Sequence, residues 1–222
     1  FGRNIKSSTP PIICDCVAFI RVKGIETEGL FRIPGSTGVI SELKLAYDEG
    51  RKAALDTVQR VEAHEVCGLL KLFLRSMPEP LIPYAQYYDM LATVRGSNFE
   101  SPEITLKNII LIAKSINSPR RELLGMLMLF MNEIAQYEAR NKMSANTLAT
   151  CIAPSIGRSE DNSPLSMMKD LQPLILSVTI MIENAHLLPQ PKPMDISKHT
   201  HTKYKRNMQR TDVRPDEDGL RI

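Results

Sequence analysis

An all-α fold, a single bundle of about seven to nine helices, is what this sequence predicts. Three observations carry that expectation. Apolar residues recur at helical spacing through most of the first 188 residues. Strand signals are nearly absent. With 5% aromatic residues and 11 glycines in 222 residues, Leu, Ile, Met and Ala must fill the core, which favours helices over a β-sandwich.

The elements follow in order. A first helix is expected over residues 10–22, where Pro10 and Pro11 suit an opening turn and Ile13, Val17 and Ile20 share a face. Residues 28–36, EGLFRIPGS, then form a shaped loop. Gly29 and Gly35 offer positive φ and close approach, and Pro34 fixes φ. Ile25, Leu30, Phe31 and Ile33 are expected to anchor this loop in the core, with Ser36 as N-cap of a helix over 37–47. Residues 48–60 read as polar and irregular. The helix expected over 63–75 buries Val66, Leu69, Leu70, Phe73 and Leu74, while His64, Gly68, Lys71 and Arg75 succeed one another along another face. The MPEP segment stops it, because a residue before proline avoids the α region.

Helices over 84–94 and 104–116 come next, parted by Arg95, Gly96 and Ser97. Ser118-Pro119 opens a long helix to about residue 139, with Leu123, Leu124, Leu127, Phe130, Met131 and Ile134 on a face wide enough for the centre of a bundle. Met126, Met128 and Met131 read as gap-fillers. A turn at 141–143 leads to a short helix over 144–152, ended by Ala153-Pro154. After a polar loop, a last helix spans 164–184, and Pro173 should kink or split it. The helical domain is thus residues 1–188. Residues 189–222, opening with Pro189, Pro191 and Pro193, read as a linker and tail with little core of their own. His199 and His201 in that tail lack further ligands, so no metal site is expected.

Composition narrows the function. A net charge of +3 is too small to imply nucleic acid. No apolar run approaches membrane-spanning length, there is no signal peptide, and no membrane insertion is expected. Cys14, Cys16, Cys67 and Cys151 form no CxxC pair and read as buried free thiols in a reducing, cytoplasmic setting. The start at Phe1 rather than Met reads as a piece of a longer protein, and the domain is expected to be monomeric. There is no GxxxxGK[ST] phosphate loop, GxGxxG, GxSxG or HExxH, so no nucleotide, cofactor or metal of its own is expected.

The concentrated chemical signal is cationic. Arg32 in its apolar loop is either a buried ion-pair partner or a cation held out on a rigid frame. Lys71 and Arg75, like charges one helical turn apart, are either a solvated face or a pair waiting for an acidic or phosphate-bearing surface.

Taken together, the ordered motifs resemble the RhoGAP family, the GTPase-activating domains for Rho-type small GTPases. EGLFRIPGS resembles the segment with the family's catalytic arginine, which implies Arg32 as an arginine finger framed by Gly29 and Gly35. LLKLFLRSMPEPLIP at 69–83 resembles its lysine-and-arginine helix, which implies supporting, GTPase-binding roles for Lys71 and Arg75. NKMSANTLATCIAPSI at 141–156 resembles the segment that adds Asn146 and Ser155 to that set. Thr147 and Ser155 stand where the family usually has asparagine. The resemblance implies an all-helical fold and a GTP-bound Rho-family GTPase (Rho, Rac or Cdc42 type) as partner, with GTP and Mg²⁺ held by that partner. The function implied is acceleration of GTP hydrolysis in trans. The alternative is a RhoGAP-like module that binds a small GTPase without activating it.

Overall fold

The computed structural model describes residues 1, 9–51, 54–58, 60–96, 101–161 and 163–190. Ten α-helices appear among them: α1 (Pro11–Lys23), α2 (Thr37–Asp48), α3 (Ala54–Thr57), α4 (Ala63–Arg75), α5 (Tyr84–Gly96), α6 (Pro102–Ser115), α7 (Arg120–Ala135), α8 (Glu138–Asn141), α9 (Ala145–Ile156) and α10 (Pro164–Glu183). α3 and α8 are single turns, which leaves eight longer helices, and the described residues hold no strand. The expected all-α bundle is therefore what forms.

The core runs along α4, α7, α9 and the C-terminal half of α10. α4 packs on α1, α2 and α9, and α10 lies along α9 and α5. All five residues of the predicted α4 stripe are buried, as is the predicted apolar face of α7. Met128 and Met131 are fully buried in the same cluster, and Met126 packs against it. The four cysteines are free thiols, but only Cys16 and Cys67 are buried; Cys14 and Cys151 are half-buried.

Several expectations are corrected. Residues 48–60 contain the helical turn α3. The long helix of the 120s ends at Ala135, and α8 follows as a separate turn. Pro154 does not end α9, which continues to Ile156. In the last turn a proline forfeits a single ladder bond, and Ile156 beyond it is fully buried. Pro173 does not split α10 either. Its missing N–H frees the carbonyl of Lys169, and Arg95 Nη2 donates to that oxygen at 3.0 Å. The same guanidinium pairs with Asp170 at 2.6 Å, and Asp170 accepts from the Tyr87 hydroxyl at 2.9 Å. α10 is also long and apolar enough to meet the length and composition of a membrane span, contrary to expectation, yet much of it is core. Pro189 and Gln190, the first residues of the expected tail, lie against the domain, which that expectation allows: Gln190 Nε2 donates to Gly125 and Ala185 carbonyls at 3.3 and 3.2 Å. The rest of the predicted tail, with His199 and His201, lies outside the described residues.

Candidate functional site

The loop between α1 and α2 is shaped by two left-handed residues. Gly29 has φ +72 and Phe31 φ +63. Such a conformation is free for glycine and costs a non-glycine residue about 1–2 kcal/mol. Phe31 is held there because its ring, with Leu30, is sunk in the core. The Gly29 carbonyl accepts from Arg32 N at 3.0 Å and Ile33 N at 2.8 Å, closing a tight turn. That turn leaves Arg32 exposed, with its Nη2 3.6 Å from where a Gly29 Cβ would lie, and also lifts out Ile33. Ile33 is 43% exposed, so it is not the core anchor that the sequence suggested. Its side-chain end folds back over Gly29, where a Cβ would lie 2.5 Å from Ile33 Cδ1.

The loop ends on α4. A Cβ on Gly35 would lie 2.6 Å from Glu65 N, so only glycine allows this approach. Ser36 occupies the N-cap position of α2, but its side chain makes no cap hydrogen bond. Its N–H donates instead to Glu65 Oε1 at 2.9 Å, while Glu65 Oε2 accepts from Glu62 N at 3.1 Å in the capping box of α4.

Lys71 supports the middle of the loop. Its Nζ donates to the Phe31 carbonyl at 2.5 Å. Burial, with a smaller push from the Arg75 charge, lowers its pKa. Lys71 is therefore half-buried and engaged, and the solvated reading of that face does not hold for it. Gly68, one turn earlier, lets α2 approach: a Cβ there would meet Ile40 Cδ1 at 2.5 Å. α9 closes the third side with Cys151. Burial raises its thiol pKa, against the charges of Lys71 and Arg32, which lower it.

Arg32 is exposed, and among the described residues it forms no ion pair. The buried-pair alternative is thereby removed. Arg75 is likewise exposed and unpaired at the end of α4. Beside it lies a cation the sequence did not single out. Arg158 Nη2 donates to Met77 O at 2.8 Å, and its Nη1 to Arg75 O at 3.4 Å, so a guanidinium caps the C-terminus of α4. The contact joins residues some eighty positions apart, and no local pattern announces it.

The α9 candidates lie differently. Asn146 is exposed but turns toward α10, where Thr179 Oγ1 donates to its Oδ1 at 3.4 Å. Thr147 shares a contact of 2.9 Å with Ser144, the N-cap of α9. Ser155 is 4% exposed and offers little surface. The structure thus brings Arg32, Lys71, Arg75 and Cys151 to one region, with Asn146 directed away from it and Ser155 inside. Among the described residues no cluster of His, Cys, Asp or Glu could hold a metal ion.

Compared with protein families, residues 10–161 match the RhoGAP domain. The chain belongs to the RhoGAP domain family. Mouse Rho GTPase-activating protein 24 is 36% identical over 192 residues, which cover 84% of this chain and 25% of that protein. This RhoGAP chain therefore spans about a quarter of the length of that relative. Its fold is similar to the crystal structure of human Rho GTPase activating protein 15, with TM-score 0.72 and 22% identity over 80% of this chain and 82% of that one. The BH domain from GRAF, the GTPase regulator associated with focal adhesion kinase, has TM-score 0.69 and 22% identity over 81% of this chain and 96% of that one.

Proposed function

We propose that this RhoGAP domain accelerates GTP hydrolysis by a GTP-bound Rho-family small GTPase, and that Arg32 is its arginine finger. The observation that carries the reading is an exposed arginine without an ion-pair partner, on a turn braced by α4. GTP hydrolysis develops charge on the β- and γ-phosphate oxygens. A guanidinium placed against those oxygens stabilises the transition state more than bound GTP, and so raises the rate rather than the affinity alone. Bracing matters because a cation already in place needs no reorganisation at the moment of reaction. GTP, Mg²⁺ and the residue orienting the water belong to the partner, so the domain needs no cofactor of its own.

Lys71 holds the finger turn through the Phe31 carbonyl, and Arg75 presents its charge to the GTPase. Asn146, engaged by Thr179 of α10, is assigned no contact with the GTPase in this reading. Ser155 contributes by packing the end of α9, since it is buried. In this reading the domain acts as a monomer in the cytoplasm.

Single-turnover hydrolysis on Rho, Rac and Cdc42 tests this. Arg32→Ala should lower the rate by about 10³- to 10⁵-fold, the range for an arginine supplied in trans in the related Ras system. Arg32→Lys should restore little, because lysine lacks the planar fork. An Arg32→Ala domain as fast as the parent would refute the finger. The substitution of serine for the family's asparagine at 155 favours a second reading, a module that binds without activating. It would show as tight binding by the parent domain with no gain in rate on any of the three GTPases.

A further inference from the structure

We infer that Asn141 is a positioning residue for Arg32, and that its carboxamide sets the place of the finger turn in the GTPase-activating reaction. This rests on the finger reading above and deepens it. Asn141 has no exposed surface. Its Nδ2 donates to Ile25 O at 3.0 Å and to Ile134 O at 2.8 Å, and its Oδ1 accepts from Met143 N at 2.9 Å. Its main-chain carbonyl accepts from Gly29 N at 2.8 Å. One residue therefore ties the finger loop, at 25 and again at 29, to the end of α7 and to the segment leading into α9.

The grip falls where it governs Arg32. Gly29 is the first left-handed residue of the turn, and its carbonyl receives the N–H groups of Arg32 and Ile33. The finger turn hangs from Gly29, the residue whose N–H the Asn141 carbonyl holds. The Asn141 carbonyl is available because α8 stops there: Lys142 turns left-handed, with φ +59, so the helix does not continue to claim it. The side chain must be an amide. Two facing carbonyls require two donors and the Met143 N–H requires an acceptor, which asparagine supplies at this length. A carboxylate would set oxygen against both carbonyls, and an apolar side chain would leave all of these groups unpaired in the core.

The test uses the whole domain with a GTP-loaded Rho-family GTPase and reads saturating single-turnover rate, GTPase affinity and thermal melting separately. Asn141→Asp should lower the saturating rate by about 10- to 100-fold, the scale of an ångström-size misplacement of a catalytic group. Affinity should stay within about threefold, since Asn141 is buried away from any partner. If Asn141→Asp loses its cooperative melt, Asn141→Ser carries the same comparison without the added charge. Asn132→Ala is the control, because Asn132 Nδ2 donates to Ile182 O at 3.0 Å in the same core without touching the loop. It should lower the melting temperature and leave the saturating rate unchanged. In the Arg32→Ala background, Asn141→Asp should cost no further rate, because its effect passes through the finger. A folded Asn141 variant with the parent rate would overturn the inference, as would an equal loss with and without Arg32. If Arg32→Ala itself leaves the rate untouched, it is the finger reading that fails.

Discussion

Replacing Lys71 by methionine asks how much of the finger's readiness is stored in one hydrogen bond. Methionine keeps most of the stem and its packing but removes the ammonium that meets the Phe31 carbonyl at 2.5 Å. A bond from a charged donor contributes about 1.5–3 kcal/mol. Half-burial of the ammonium, seen in its lowered pKa, offsets part of that. A net loss of about 1–2 kcal/mol follows, similar in size to the 1–2 kcal/mol that left-handed Phe31 costs. Without the bond, the strained turn no longer outweighs relaxed alternatives by the same margin. The ratio of braced to relaxed turns should fall by about 5- to 30-fold. Saturating single-turnover hydrolysis should fall by as much as that factor, with GTPase affinity less affected, and Lys71→Gln should recover part of it as a neutral donor. An unchanged saturating rate with affinity alone reduced would show that Lys71 touches the partner and does not brace the turn.

Other perturbations bear on the same frame. Gly35→Ala places a methyl 2.6 Å from the Glu65 backbone nitrogen, so the loop must retreat from α4; a loss of about 1–3 kcal/mol in urea unfolding should accompany reduced activation. Ser155→Asn restores the family's usual amide but into a buried position, and should lower the melting temperature through overpacking of the same order, about 1–3 kcal/mol. Asp161 accepts from Ser159, Ser163 and Ser166, which holds its pKa down to about 2 against an ordinary 3.8. Its stabilisation is therefore present above the ordinary value and is lost as pH falls toward about 2. Unfolding curves of the parent and Asp161→Asn should differ at neutral pH and converge in that acid window. Exposed Arg32 and Arg75 should make association with an acidic GTPase surface faster at low salt, so stopped-flow association rates should fall as ionic strength rises.

The helices were legible where apolar spacing and a stop signal coincide. α4 is the clearest case, with its buried stripe and the MPEP terminator both readable, and its bounds are those expected. Proline misled where the surroundings relieve its cost: Arg95 satisfies the carbonyl that Pro173 orphans, from a position seventy-four residues earlier. Ile33 misled for a backbone reason. The left-handed turn at Gly29 and Phe31 rotates it out of the core, and spacing alone cannot show a φ sign. Arg32 was visible as a residue of interest, but the residues by themselves left its exposure open between two readings. Asn141 looked like a turn former, because a carboxamide's long-range partners at Ile25 and Ile134 leave no local trace.

α4 meets the Arg32 loop first through Glu65 and then through Lys71, before presenting Arg75. At about 1.5 Å per residue, those stations stand roughly 9 Å and then 6 Å apart along one axis. The helix therefore works as a ruler: the offset between finger and neighbouring charge is graduated by a stiff rod.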